Sequence, residues 1–315
     1  MSSLLPDTLH VTPLHSSDLA RICDVSCRAH DRSRGAEECS ATDDIVFPRV
    51  GFFVQHLGTR GIPADPNGVL LQRRGDAYRV SHPAARGDEC TALTFAPTLL
   101  AEAFASGDPA AGEALQRPFP TARVECPPDV VVSMQRLRRA LHGPARSGPD
   151  LRELEIDALA LEILDGVARA AAASARARPA HRGRKETQRT HRDLVERVRE
   201  RLAAHLGERL SLALLAREVG SSPFHLARVF ARHASTPIHA YLVRLRLRAA
   251  LERIAQGAVN LAELAAELGF SSHAHLTGAF RHEFGAPPSA LRRRLHVRPV
   301  SETRKHLEAG PSSSS

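Results

Sequence analysis

The chain has 315 residues, of which 43% are hydrophobic and 25% charged, with a formal net charge of +8. That length predicts about two domains, and the apolar fraction is enough for ordinary globular cores. No stretch approaches the roughly 20 apolar residues of a membrane helix, so no membrane association is expected. Residues Met1 to His10 carry no basic segment followed by an apolar run, so no secretory signal is expected and the chain is assigned to the cytoplasm. The positive charge is concentrated. Residues 187–296 hold 17 arginines, no lysine and 9 acids, whereas residues 1–186 hold 23 basic and 24 acidic residues. A polyanionic partner is therefore expected for the second half of the chain.

Residues 1–40 contain turn residues, charges and three cysteines. Short apolar or alternating runs follow at Ile45–Pro48, Val50–Leu57, Gly68–Gln72, Ala77–Ser81 and Cys90–Phe95. Gly, Pro, Asp and Asn separate them, which predicts a meander or barrel of strands. Helical spacing then takes over at Pro97–Ser106, Asp129–Leu141 and Asp150–Ala173. Leu151, Leu154, Ala158, Leu161 and Leu164 form one stripe, which packs against the barrel or serves as the seam of a homodimer. The segment 174–187, rich in Ala, Arg, Pro and Gly, reads as an interdomain linker. The tail 297–315 ends in Gly-Pro-Ser-Ser-Ser-Ser and is expected to be disordered.

The stretch Ser211–Arg294 contains one pattern twice. Leu212-Ala-Leu-Leu-Ala-Arg-Glu-Val-Gly220 precedes Ser221-Ser-Pro-Phe-His-Leu-Ala-Arg-Val-Phe230. Leu261-Ala-Glu-Leu-Ala-Ala-Glu-Leu-Gly269 precedes Phe270-Ser-Ser-His-Ala-His-Leu-Thr-Gly-Ala-Phe280. After one extra residue in the second turn, His225 matches His275, Leu226 matches Leu276, Phe230 matches Phe280 and Pro237 matches Pro287. A repeat this long, with matched apolar and turn positions, points to duplicated structure. Ser211 and Asn260 suit the caps of the first helices, Ser222 and Ser272 those of the second. Gly220 and Gly269 stand where a left-handed turn ends the first helix. Two helices joined by such a turn form the arrangement that offers its second helix to the DNA major groove.

These motifs resemble the DNA-binding domain of AraC-type transcription regulators. The resemblance covers about Arg189 to Arg294. It is carried by Gly220, Leu226-Ala-Arg-Val-Phe230, Pro237, Tyr241-Leu242, Arg244-Leu-Arg-Leu, Gly269-Phe-Ser, His275-Leu-Thr, Phe280, Phe284-Gly285 and Pro287. It implies two helix–turn–helix units joined by a long helix at about Pro237–Gln256. The expected fold class is α+β with two domains: a sensor/dimerisation domain at 1–173, the linker at 174–187, and a DNA-binding domain at 188–296. The strand order, with Phe47-Pro-Arg-Val-Gly51, Asp65-Pro-Asn-Gly68 and Gly75–His82, resembles the cupin-like sensor barrel found in such regulators. The implied function is sequence-specific regulation of transcription in a bacterium, with a small-molecule effector. The implied partners are double-stranded promoter DNA, RNA polymerase and a second copy of the chain.

The expected DNA contacts are Ser222, Phe224, His225, Ala227 and Arg228 in the first unit, and Ser272, His273, Ala274 and Thr277 in the second. Base readout needs side chains exposed near the start of each second helix. Arg228 suits guanine or phosphate; Phe224 and Ala227 suit a thymine methyl or a sugar. Family members often carry arginine where this chain has Gly278 and a long polar residue near Ala274, so weaker base reading is expected of the second unit. The arginine matching Arg244 is often structural, so Arg244 is not assigned to DNA.

No catalytic residue, cofactor or metal is expected. A metal-bearing cupin shows a His-x-His pair followed by a carboxylate, and His56 and His82 do not supply it. Cys23 and Cys27, with His30 and Cys39 downstream, fit a short helix on which positions i and i+4 share a face. They support an alternative reading as a thiol or zinc sensor. They also resemble the Cys-x3-Cys of bacterial alkylation-repair regulators, though the downstream Cys-x-x-Cys is missing. With no export signal, disulfides among these and Cys90 or Cys126 are not expected.

Overall fold

The computed structural model describes residues 8–83, 87–104, 118–143, 149–176, 185–257 and 260–295. The centre of the expected linker and the whole expected tail lie outside the described residues. The N-terminal half contains β1 (Leu9–Ser16), β2 (Ala20–Cys27), β3 (Glu38–Cys39), β4 (Asp44–Val50), β5 (Phe53–Leu57), β6 (Arg60–Ala64), β7 (Gly68–Gln72), β8 (Ala77–Ser81), β9 (Asp88–Phe95), α1 (Pro97–Phe104), β10 (Arg123–Glu125), α2 (Pro128–His142) and α3 (Pro149–Arg176). The C-terminal half is helical: α4 (Lys185–Ala204), α5 (Leu212–Glu218), α6 (Pro223–Ala234), α7 (Ile238–Ala255), α8 (Leu261–Glu267), α9 (His273–Phe284) and α10 (Pro288–Arg294).

The strands form two antiparallel sheets, ordered β1-β2-β9-β4-β7-β10 and β3-β8-β5-β6. Among the described residues their ladders remain separate instead of closing into one hydrogen-bonded ring. Val46, Leu70 and Cys90 from one sheet meet Phe53, Ile62 and Ala64 from the other between them. The opposite face of the larger sheet carries Ile22, Ile45, Val69, Leu71, Leu93 and Phe95, which pack in one core with Leu100, Met134, Leu137, Leu159 and Ile163 of α1, α2 and α3. A strand covered on both faces needs apolar residues at successive positions, which accounts for Ile45-Val-Phe47.

Two expectations change. The composition of the first forty residues predicts turns and a short cysteine helix, yet they hold β1 and β2. β1 is an edge strand, irregular between Pro13 and His15, so its polar outer residues hide its period. Cys23 and Cys27 therefore lie four positions apart along a strand, about 13 Å by the usual rise, and do not converge. The face of α3 that is buried is Ile156, Leu159, Ala160, Ile163, Leu164 and Val167, not the whole expected stripe. Leu151 and Leu154 are 62% and 65% exposed.

In the C-terminal half, α7 divides two equivalent cores. Its first turns place Tyr241, Leu242 and Leu245 against α4, α5 and α6. Its later turns place Leu247, Ala250, Leu251 and Ile254 against Leu264, Leu268, Leu276, Phe280 and Leu291 of α8, α9 and α10. A third face meets the sheet half. Arg248 donates from Nε to Asn67 Oδ1 (2.8 Å) and from a terminal nitrogen to the Cys126 carbonyl (2.7 Å). Gln135 of α2 donates to Glu252 (2.6 Å), and Arg138 pairs with the same carboxylate.

Candidate nucleic-acid interface

Each helix–turn–helix unit is closed by its own sequence. The Ser211 hydroxyl accepts from the Leu214 N–H, and Asn260 Oδ1 accepts from both Ala262 and Glu263 N–H. Ser222 accepts from the His225 N–H at 3.2 Å, and Ser272 from the His275 N–H at 3.1 Å. Caps of this kind stabilise a helix by about 1 kcal/mol each. Gly220 and Gly269 adopt φ of 67° and 74°, a region that residues with a Cβ enter at a cost. The turns are therefore fixed by glycine and serine, as the repeat predicts. The second helix of each unit leaves Leu226, Val229 and Phe230, or Leu276 and Phe280, buried.

The opposite faces are open. Phe224 is 77% exposed, the largest exposure among the large apolar side chains of the described residues. Arg228 is exposed one turn later, with its guanidinium carbon 6.0 Å from the Phe224 ring centre. Ala227 is half-buried beside them. His225 is also half-buried and stacks edge-on against His191 of α4 at 5.4 Å, so it faces the body of the domain more than solvent. In the second unit Ser272, His273 and Ala274 are exposed, and Thr277 is half-buried with its hydroxyl 3.3 Å from His273 Nε2. Gly278 is exposed, and a Cβ built on it meets nothing within 4 Å. Ser222 and Ser272 are thus occupied as caps, but their exposure leaves them at the surface with the helix N-termini.

The arginines of α7 take separate roles. Arg244 pairs with Glu125 at 3.1 Å and Glu283 at 3.6 Å. Arg246 donates to the carbonyls of Leu206, Glu208 and Gly269 at 2.7–2.8 Å. Arg246 thereby ties the end of α4 to the turn of the second unit. A cleft of about 810 Å³ opens between the two halves, bordered by Arg49, Gly51 and Pro66 on one side and by His205, Ala249 and Glu252 on the other. No single segment encodes this cleft, so it is not legible in the sequence. Among the described residues no helix is long and apolar enough to cross a membrane.

A family model described as a helix-turn-helix domain matches residues 215–294. The HTH-type transcriptional regulator GlxA of Rhizobium meliloti is 36% identical over 97 residues, which are 31% of this chain and 30% of that protein. The regulatory protein SoxS of Salmonella typhimurium is 26% identical over 106 residues, 34% of this chain and 99% of that protein. The chain thus spans about a third of the length of GlxA. Among solved structures, an AraC-type DNA-binding transcriptional regulator from Chromobacterium violaceum is 26% identical, with a TM-score of 0.30, over 36% of this chain and 96% of that one. With its matched caps, its two glycine turns and one helix shared by both units, the segment 215–294 is a helix-turn-helix domain.

Proposed function

We propose that this chain is a DNA-binding regulator of transcription that reads one double-stranded promoter site with both helix–turn–helix units. The observation that carries the reading is the pair of capped helices, α6 and α9, whose N-terminal turns stay exposed while their opposite faces fill two equivalent cores. Helix N-termini and a local surplus of arginine attract phosphate, and exposed side chains at those ends reach base edges. In this reading Arg228 contacts guanine, while Phe224 and Ala227 contact thymine methyls. Ser222, Ser272, His273 and Thr277 hold the backbone. Ala274 and Gly278 leave the second unit with shorter reach, so it contributes grip more than base choice. His225, packed edge-on against His191, lies beside these contacts at the start of α6.

The cleft between the halves is of a size usual for small-molecule sites. We assign the effector to it, because a ligand there touches α7 and the sheet half together. Filling it with Ala249→Phe is expected to abolish the response to effector. The exposed Leu151 and Leu154 suit a homodimer, which light scattering of Leu154→Glu tests. RNA polymerase is the expected downstream partner of the bound regulator.

The deciding experiment selects sequences from a random DNA pool with the full-length protein and footprints the winner. The expected result is one site protected on successive major-groove faces, with affinity falling steeply as salt rises. A protein that enriches no sequence, and whose weak binding is the same for all DNA, overturns the reading.

A further inference from the structure

Cys27 ends β2 and is 3% exposed; across the ladder it faces Asp88, which is 7% exposed. His82, just beyond β8, is 7% exposed and joins them. Its Nδ1 lies 2.7 Å from Asp88 Oδ2, and its Nε2 lies 3.6 Å from Cys27 Sγ. The three donor atoms lie within 4.8 Å of one another. Phe53 covers the imidazole with its ring centre 6.0 Å away. Three separate segments thus bring a thiol, an imidazole and a carboxylate together in the interior of the sheet half.

We infer that Cys27 Sγ and His82 Nε2 ligate one divalent cation of the zinc class, with Asp88 holding the imidazole from its other nitrogen. Zinc bonds sulfur at about 2.3 Å and imidazole nitrogen at about 2.0–2.1 Å, and at a tetrahedral angle these put S and N about 3.5–3.6 Å apart. The separation of Sγ and Nε2 matches that span. A carboxylate on the far ring nitrogen is the usual partner of a metal-bound histidine, fixing its tautomer and raising its basicity. Charge agrees with geometry. A thiolate and a carboxylate buried together are costly unless a cation neutralises them, and one divalent ion balances both. The sulfur and nitrogen donors select a borderline-soft ion over magnesium or calcium, which take oxygen ligands. A line of Cys, His and Asp also activates nucleophilic thiols. At 3% exposure, however, Cys27 does not present its sulfur to a substrate.

The test uses the full-length protein stripped of metal. Cobalt is added and the near-ultraviolet thiolate-to-cobalt absorption is followed; zinc affinity is then measured against a chromophoric chelator. The expected result is one ion per chain, with zinc protecting Cys27 and no other cysteine from alkylation as read by mass spectrometry. Cys27→Ser loses the absorption, Cys39→Ser keeps it, and Asp88→Asn keeps it while binding zinc 10–100-fold more weakly. The protection pattern is read on the unsubstituted chain, so the test stands even if Cys27→Ser fails to fold. The inference is overturned if no stoichiometric metal binds, if the absorption survives Cys27→Ser, or if zinc protects a different cysteine. It is overturned equally if the metal-free chain binds no cobalt while peroxide oxidises Cys27 faster than the exposed Cys39, which marks a reactive thiol in place of a metal ligand.

Discussion

The phenol of Tyr241, on the helix shared by both helix–turn–helix units, donates a hydrogen bond to the buried carboxylate of Asp65 in the sheet half. Asp65 is 0% exposed and also accepts from the Asn67 N–H at 2.9 Å, while Asn67 Nδ2 donates to the Tyr241 carbonyl at 3.1 Å. Burial raises the Tyr241 phenol well above its ordinary range, so it remains a donor at every working pH. The turn Asp65-Pro-Asn-Gly68 is therefore one fastener between the two halves. Tyr241→Phe keeps the ring but leaves a buried carboxylate short of one donor. A hydrogen bond to a charged group contributes about 1.5–3 kcal/mol, so the unfolding free energy is expected to fall by that much, read as a lower urea midpoint at an unchanged m-value. An unaltered midpoint would show that the bond adds nothing to stability.

The DNA contacts are tested at Arg228. Arg228→Ala is expected to weaken binding to the selected site by about 1–3 kcal/mol and to relax base preference at one position. Arg228→Lys separates readout from charge, because lysine keeps the positive charge but loses the planar fork that pairs with guanine. If lysine restores the full affinity and preference, Arg228 contacts phosphate only.

Much of this was legible because it is local. Caps, glycine turns and apolar spacing in the repeat are written within a few residues of one another, and Ser211, Ser222, Asn260 and Ser272 all take the cap positions that their spacing predicts. β4, β5, β7, β8 and β9 were legible for the same reason, as apolar runs between turn residues, whereas β6, Arg60-Gly-Ile-Pro-Ala64, was hidden by its glycine and proline. What was not legible depends on pairing across long separations. β2 alternates too weakly to stand out, and its place beside β9 is what sets Cys27 opposite Asp88. The sequence singled out Cys27 but gave it Cys23 as a partner, when its neighbours are His82 and Asp88. Likewise nothing near Asn67 in the chain announces Arg248.

A pH effect is expected at the same junction. Glu196 of α4 lies over the backbone of Gly61 in β6, so close that a Cβ on Gly61 would come within 2.7 Å of its carboxylate. Burial, reinforced by Asp193, raises its pKa to about 7. The folded state thus holds this proton to higher pH than the unfolded chain, whose ordinary value is 4.5. The contribution is fully present below about pH 4.5 and is lost as pH rises through 7, where a charge is left half-buried. Glu196→Gln is expected to stabilise the protein by on the order of 1–2 kcal/mol at pH 8 and to change little at pH 4.5. Thermal melts at the two pH values check this, and equal shifts at both would rule out a titrating carboxyl.

The second unit can be strengthened at Gly278. It sits mid-way along α9, exposed, with open space around an added Cβ, so no clash opposes a larger side chain. Glycine inside a helix costs about 1 kcal/mol relative to alanine, so Gly278→Ala is expected to raise the unfolding free energy by about that amount. Gly278→Arg adds reach as well. It places a guanidinium one turn beyond Ala274, on the face that α9 turns to solvent. Two effects then separate in one measurement of affinity against salt. A gain that appears for all DNA, with a steeper salt dependence by about one ion, marks a phosphate contact. A gain confined to sites that carry guanine at one position marks base readout. Should Gly278→Arg bind every DNA as weakly as the parent while Gly278→Ala is stabilised as expected, α9 does not face the groove, and the site is read by α6 alone.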